Sequence, residues 1–83
     1  MKIRIKLYAM LARYLPGDAV NNEADIEVDD LTDVESVLMQ MNMPLGECHL
    51  VLVNGHYLSP SERAEHLVNE GDHVAVWPPV AGG

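Results

Sequence analysis

The chain has 83 residues, 48% of them hydrophobic, and thirteen acidic side chains against five basic ones give it a net charge of −8. This size and apolar fraction suit one small domain with a core of its own, and the acidity excludes nucleic acid as an expected partner because phosphate groups would repel it. We expect a cytoplasmic protein without membrane contact, since no apolar run approaches the roughly 20 residues of a membrane span and the N-terminus is no signal peptide.

The first half of the chain begins with two predicted strands that form an antiparallel hairpin. Residues 2–8 alternate between aliphatic and polar side chains, which is typical of a half-buried strand. Residues 24–28 alternate in the same way, and their acidic side chains suit cross-strand pairing with the lysines and arginine of the first strand. Between the two strands, residues 9–15 predict a short helical turn that Pro16 and Gly17 end.

One amphipathic helix follows. Thr32 and Glu35 have the spacing of a capping box, in which Thr32 would cap the helix and Glu35 would bond back to the Thr32 amide. The next apolar residues fall on a single stripe, which consists of Val34, Val37, Leu38 and Met41. Asn42 and Pro44 are expected to end the helix. Met39 and Met43 are expected to lie outside the stripe and outside the core.

The second half of the chain predicts three more strands. Residues 49–53 form an apolar strand, the Asn54-Gly55 pair favours a type I′ turn, and Tyr57 and Leu58 return as a short strand. Residues 59–70 are irregular, and residues 73–77 form the last strand. A single helix must bury its stripe against one face of one sheet. The prediction is therefore an α+β, β-grasp domain over residues 1–77, with a mixed sheet, one main helix packed on one face, and a flexible tail over residues 78–83.

The tail has a composition suited to insertion into another protein. Pro78 and Pro79 favour a stiff, extended exit from the last strand. The residues beyond them are small and end in a free carboxylate; they are Val80, Ala81, Gly82 and Gly83. The glycines can pass through a slot that would clash with any Cβ. The tail is thus predicted to place its C-terminus in a partner's active site, and a frayed or truncated end is the simpler alternative.

Three aromatic residues are candidates for a docking surface. Because alternate residues of a strand face opposite sides, Tyr8 and Trp77 should point away from the helix, and Tyr57 could join them. Exposed aromatic residues on a small domain usually mark a partner-binding surface. The negative charge would favour a basic partner, although it could equally serve solubility alone. In the alternative, Trp77 folds under a loop and Tyr8 begins the short helical turn.

No other group of residues indicates a catalytic or metal site. The four histidines lack metal-ligand spacing, so no metal is expected; they are His49, His56, His66 and His73. The single cysteine, Cys48, is expected to be packed or idle rather than a sulfur acceptor, because nothing marks it as activated. Ser59 and Ser61 lie in a Ser-Pro-Ser loop without the context of a nucleophilic serine.

Several segments together resemble the ubiquitin-like sulfur carriers of the MoaD and ThiS family, and most of all the small subunit of molybdopterin synthase. The resemblance covers essentially the whole chain. It rests on the Tyr-Ala start at residues 8–13, on Val-Asn-Gly at residues 53–55, on the approach to the last strand at residues 67–75, and most specifically on Pro-Pro-Val-Ala-Gly-Gly at residues 78–83. Trp77 departs mildly, since the family more often has Phe or an aliphatic residue there.

The resemblance implies that Gly83 is adenylated by an ATP-dependent activating enzyme, converted to a thiocarboxylate, and used to donate sulfur to a pterin precursor in molybdopterin biosynthesis. It also implies that the chain binds no cofactor, that only the activating partner uses ATP, and that the chain is not catalytic alone. The expected second partner is the large subunit of molybdopterin synthase, in a heterotetramer. Alternatives are a carrier for another thiolation pathway (thiamin, tungsten pterin or tRNA), a ubiquitin-like modifier attached through Gly83 to lysines, and a binding module with an inert tail.

Overall fold

A five-stranded mixed sheet with one α-helix forms the domain in a computed structural model that describes residues 1–79. The elements are β1 (Lys2–Leu7), β2 (Glu23–Glu27), α1 (Val34–Gln40), β3 (Leu50–Val53), β4 (His56–Leu58) and β5 (His73–Trp77). The strand order is β2-β1-β5-β3-β4, with β1 and β5 parallel and the other neighbours antiparallel. The predicted β-grasp fold is confirmed.

The β1–β2 hairpin follows its sequence pattern. The inward side chains of β1 are almost fully buried; they are Ile3, Ile5 and Leu7. Opposite charges meet across the outer face, where Arg4 Nη2 lies 3.2 Å from Asp25 Oδ1 and Lys6 Nζ lies 3.7 Å from Glu23 Oε2. The predicted charge pairing is therefore confirmed. The helical turn after β1 is a 3₁₀ segment, Ala9–Tyr14, and a second, unpredicted 3₁₀ segment covers Leu45–Glu47.

The predicted capping box of α1 is wrong by one residue. Asp33 is the N-cap, and its carboxylate accepts from the Ser36 amide at 3.0 Å and from the Ser36 hydroxyl at 2.6 Å. The Thr32 hydroxyl instead donates to the carbonyl of Asp29. Glu35 cannot act as predicted, because with Asp33 as the cap it falls one position too early for a capping box.

The C-terminal end of α1 corrects a second expectation, since Met43 is only 3% exposed. After the helix, Asn42 takes a left-handed φ of 65°, its amide bonds to the Met39 carbonyl, and the Met43 amide bonds to the Leu38 carbonyl. This pair of bonds is a Schellman motif, which commonly packs the second residue after the cap against the last helical turn. Met43 thereby joins the core, whereas Met39 is exposed as predicted.

The β3–β4 connection and the entry to β5 also follow their sequence signals. Asn54 and Gly55 have φ values of 51° and 83°, the pair of positive angles that a type I′ turn requires. Val74 and Val76 of β5 are buried, and Ala75 and Trp77 are half-buried on the other face. Because β5 pairs with β1 on one side and β3 on the other, it is the central strand of the sheet. The segment that follows Trp77 therefore leaves from the middle strand of the sheet.

Candidate functional site

The end of β5 is flanked by a pair of stacked aromatic rings. Tyr8 and Trp77 lie with their ring centroids 4.1 Å apart and their planes inclined by 8°. The Tyr8 amide donates to the Val76 carbonyl at 3.1 Å, which carries the β1–β5 pairing one residue past β1. The Lys6 ammonium lies 5.2 Å from the centroid of the Tyr8 ring, close enough for a cation–π contact.

The strand register extends this stack into a larger apolar surface. Trp77 is opposite Leu50, and Leu52 is opposite both Ala75 and Tyr57. All of these side chains are on the face of the sheet away from α1, and all are half-buried or exposed. We call this surface the outer aromatic face; it consists of Tyr8, Leu50, Leu52, Tyr57, Ala75 and Trp77. The structure thus brings Tyr8 and Trp77 into contact and places Tyr57, which is 55% exposed, on the same face two strands away.

The chain leaves β5 between the two 3₁₀ segments. The Trp77 carbonyl accepts from the His49 amide at 2.9 Å, which ties the end of β5 to the start of β3. Pro78 is buried and Pro79 is exposed. Across the same end of the domain, Arg13 Nη2 of the first 3₁₀ segment lies 3.4 Å from Glu47 Oε1 of the second. The remaining predicted tail residues, Val80, Ala81, Gly82 and Gly83, lie outside the described residues.

The remaining polar side chains of residues 1–79 form no metal-binding site. No group of three or more His, Cys, Asp or Glu side chains in that range could hold a metal ion. Cys48 is buried, and burial raises the pKa of its thiol above the ordinary value. The Ser59 and Ser61 hydroxyls lie 3.2 Å apart. None of the helices in residues 1–79 has the length and hydrophobicity that crossing a membrane would need.

The sequence did not predict the role of Arg63, a buried residue near the end of β5. Arg63 is 5% exposed, and its guanidinium donates to the carbonyls of Cys48 and His49 at 2.9 and 3.2 Å. Its Nε is buried without a partner among the described residues. Arginines are mostly exposed, and the local sequence Ser-Glu-Arg-Ala-Glu is polar, so nothing in it predicts that Arg63 is buried.

Comparison with known proteins identifies the family. Residues 6–83 match the sequence profile described as the ThiS family. No protein in a curated set matches the chain. Among solved structures, the chain is similar to the Haloferax volcanii HVO 2177 protein, with 27% identity, a TM-score of 0.76 and coverage of 100% of this chain and 87% of that one.

Two further structures share the fold. The small archaeal modifier protein 1 of Haloferax volcanii is 25% identical, with a TM-score of 0.67 and coverage of 95% of this chain and 98% of that one. A chain in the complex of subunits 1 and 2 of the molybdopterin-converting factor from Helicobacter pylori 26695 is 21% identical, with a TM-score of 0.57 and full coverage of both chains. At that identity the last likeness shows the fold alone.

Proposed function

The chain belongs to the ThiS family of ubiquitin-like proteins, and from that premise we propose that it carries sulfur on its C-terminal residue, Gly83. A C-terminal carboxylate is an anion near neutral pH, with a pKa of about 3.5, and its oxygen is a poor leaving group. An activating enzyme adenylates Gly83 by using ATP and releasing pyrophosphate. A sulfur nucleophile then displaces AMP, and Gly83 ends as a thiocarboxylate. We place this ATP-dependent reaction in the cytoplasm.

Two observations support this proposal: β5 is the central strand of the sheet, and the family match extends over residues 6–83. The match continues through Gly83, so the whole tail is part of the family pattern. The tail follows directly on the central strand, whose last residue is paired with β3 and stacked on Tyr8. A rigid strand end beside an apolar docking surface is the arrangement that tail delivery requires, because docking then fixes where the tail begins.

In the proposed transfer step, a partner docks on the outer aromatic face and receives the tail. Pro78 and Pro79 direct the chain away from the sheet, and the small residues Val80, Ala81 and Gly82 pass through the partner's entrance. The partner's active site supplies the acid–base groups, and this chain supplies the sulfur. The chain therefore binds no cofactor and is not catalytic alone.

We propose a pterin precursor of molybdopterin as the sulfur acceptor. The likeness in fold to a chain in the Helicobacter pylori complex of molybdopterin-converting factor subunits 1 and 2 supports this choice. The partner is then the large subunit of molybdopterin synthase, in a heterotetramer. A sulfur carrier for thiamin, a tungsten pterin or tRNA would use the same Gly83 chemistry and remains the alternative within this class.

The second candidate is a ubiquitin-like modifier that joins Gly83 to lysine side chains of other proteins. The similarity to the small archaeal modifier protein 1 of Haloferax volcanii favours it. Both functions begin with the same adenylate, so they diverge only at the group that attacks it. A sulfur nucleophile produces a carrier, and a lysine amine produces an isopeptide.

Mass spectrometry after loading tests the proposal. The chain is incubated with ATP, an activating enzyme and a sulfur donor, and we expect its mass to rise by the exchange of one oxygen for sulfur. Deletion of Gly83 should abolish this gain without lowering the unfolding temperature, because glycine has no side chain that could pack into a core. Gly46→Ala is the control, since a Cβ there meets nothing within 4 Å. Pterin thiolation by the truncated chain would refute the proposal, and isopeptide adducts without any sulfur gain would establish the modifier.

A further inference from the structure

Two leucines outside the outer aromatic face are unusually exposed. Leu31 is 81% exposed and Leu67 is 46% exposed. They lie on segments that are hydrogen-bonded to each other: the Val68 amide donates to the Thr32 carbonyl at 2.9 Å, and Asp33 pairs with Leu67 in an isolated antiparallel bridge. The Leu31 segment leads into α1, and the Leu67 segment is bonded to the start of α1, where the Val34 amide donates to the His66 carbonyl at 2.9 Å, so the two leucines lie near the N-terminal end of the helix. We call them the exposed leucine pair.

Leu31 is costly to the fold in two ways. Its φ of 64° lies in the left-handed region, which is unfavourable for a residue with a Cβ. Six residues other than glycine have positive φ in the described part of the chain, and four of them are asparagines, which tolerate this region well. Leucine contributes neither that tolerance nor core packing here, because most of its side chain faces solvent.

Acidic side chains predominate around the exposed leucine pair, and a nearby cation is the N-terminal ammonium of Met1, which donates to the Val28 carbonyl at 2.7 Å. Asp29 and Asp30, both exposed, directly precede Leu31, and Glu70 is exposed three residues after Leu67. Residues 27–35 and 64–72 contain eight acidic side chains and no lysine or arginine. Apolar side chains within an acidic rim are complementary to an apolar recess within a basic rim.

We propose that the exposed leucine pair is a second docking surface, for a protein that presents an apolar recess bordered by lysine and arginine side chains. This surface is separate from the outer aromatic face and does not depend on the chemistry of Gly83. A partner bound to it leaves both the outer aromatic face and the end of β5 free. The chain can then be held by one protein while it presents its tail to another.

Titration of the isotope-labelled full chain with a defined peptide tests this surface. The probe is a synthetic two-helix peptide whose helices form an apolar groove bordered by lysines, and binding is followed through the amide chemical shifts of the chain. We expect the shifts to concentrate in residues 29–33 and 65–69. Replacing the probe's lysines with glutamines should weaken binding, because the acidic rim would lose its counter-charges.

Matched substitutions distinguish peptide binding by the two leucines from non-specific attraction to the acidic surface. Leu31→Asn together with Leu67→Asn should weaken binding about tenfold or more. Leu31→Asn alone should unfold at the same or a higher temperature, since asparagine tolerates the left-handed φ, so loss of binding in this single variant cannot be attributed to unfolding. Val20→Asn is the control, because Val20 is 68% exposed near other acids and outside both surfaces.

Three results would overturn the proposal. The first is equal affinity of the double variant and the unmodified chain. The second is a pattern of shifts that spreads over all acidic surfaces or centres on the outer aromatic face. The third is a set of concentration-dependent shifts at the exposed leucine pair without any peptide, which would assign the surface to a second copy of the chain. Sulfur loading of Gly83 is measured separately, so failure here leaves the proposed function standing.

Discussion

Two contacts hold Trp77 in place, one made by its backbone carbonyl and the other by its ring. Its carbonyl accepts from the His49 amide, and its ring stacks on Tyr8 with 4.1 Å between centroids. Such a pair of rings contributes about 0.5–1.5 kcal/mol to stability beyond the area that it buries. Trp77 remains only half-buried, so the free domain leaves part of the ring available for a partner.

Trp77→Ala should therefore affect binding more than folding. We expect the affinity for both proposed partners, an activating enzyme and the large subunit of molybdopterin synthase, to fall by about 2 kcal/mol or more, as for a central aromatic anchor. Loss of the stack should lower the free energy of unfolding by only about 0.5–1.5 kcal/mol. Calorimetric binding and urea unfolding measure the two effects. Met39→Ala, at an exposed residue on α1, is the control, and a Trp77→Ala chain that binds normally per folded molecule would remove Trp77 from the interface.

Asp72 joins two turns that are far apart in the sequence. Its carboxylate accepts from the Asn54 side-chain amide at 3.0 Å and from the Asn69 backbone amide at 2.8 Å. Asn54 in turn accepts from the His73 amide at 2.9 Å. The Asn-Gly turn after β3 is thus bonded to the Gly-Asp turn before β5. The sequence identifies each turn from its local chemistry, but the bonds between them depend on the sheet.

Among the secondary-structure elements, α1 shows how a loop can complete a short helix. The first amides of a helix have no partner inside it. In α1 the Val34 amide donates to the His66 carbonyl, the Glu35 amide donates to the Arg63 carbonyl, and the Ser36 amide donates to Asp33. Two of these three acceptors come from the irregular segment between β4 and β5. That segment is therefore part of the helix cap.

The Asp33 cap should make stability depend on pH. Hydrogen bonds from Ser36 hold the pKa of Asp33 below its ordinary value of 3.8. A carboxyl with a lowered folded-state pKa stabilises the fold above its unfolded pKa, and this stabilisation is lost as the pH falls through the folded pKa. Asp33→Asn preserves a capping oxygen but cannot titrate. We expect the difference in unfolding free energy between the two chains, measured in urea, to shrink as the pH falls from 7 to below 3.8; a constant difference would contradict this.

The elements that were predicted correctly are those with local signals. Period-two patterning in β1 and β5 and the Asn54-Gly55 turn are properties of adjacent residues. The exact cap of α1 was missed because distant carbonyls occupy its first amides, so Asp33 rather than Thr32 begins the helix. The burial of Met43 was missed because the helical stripe does not describe residues beyond the end of the helix, where Asn42 reverses the chain.

For the molecule as a whole, the candidate site was partly predictable. Strand parity alone placed Tyr8 and Trp77 on the face away from the helix, and the sheet order then made them neighbours. The contributions of Leu50 and Leu52 required the register between β3 and β5, which no local pattern specifies. The identity of the tail as the reactive segment stays a prediction, supported by the family match through residue 83.

Arg63 connects three parts of the domain. Its carbonyl caps α1, its guanidinium holds the carbonyls of Cys48 and His49, and the His49 amide holds the end of β5. A buried arginine is costly unless its donors are satisfied, and here the unpartnered Nε is an uncompensated part of that cost.

Arg63→Met should therefore destabilise the whole domain and loosen the end of β5. Methionine has a similar length but leaves the carbonyls of Cys48 and His49 without a donor, and we expect the free energy of unfolding to fall by about 2–4 kcal/mol. Hydrogen exchange of the His49 amide should accelerate more than that of Val53, at the far end of β3. Arg13→Met is the control, since its exposed ion pair with Glu47 is worth about 0–1 kcal/mol. Equal losses in the two variants would mean that the buried guanidinium does not hold the start of β3.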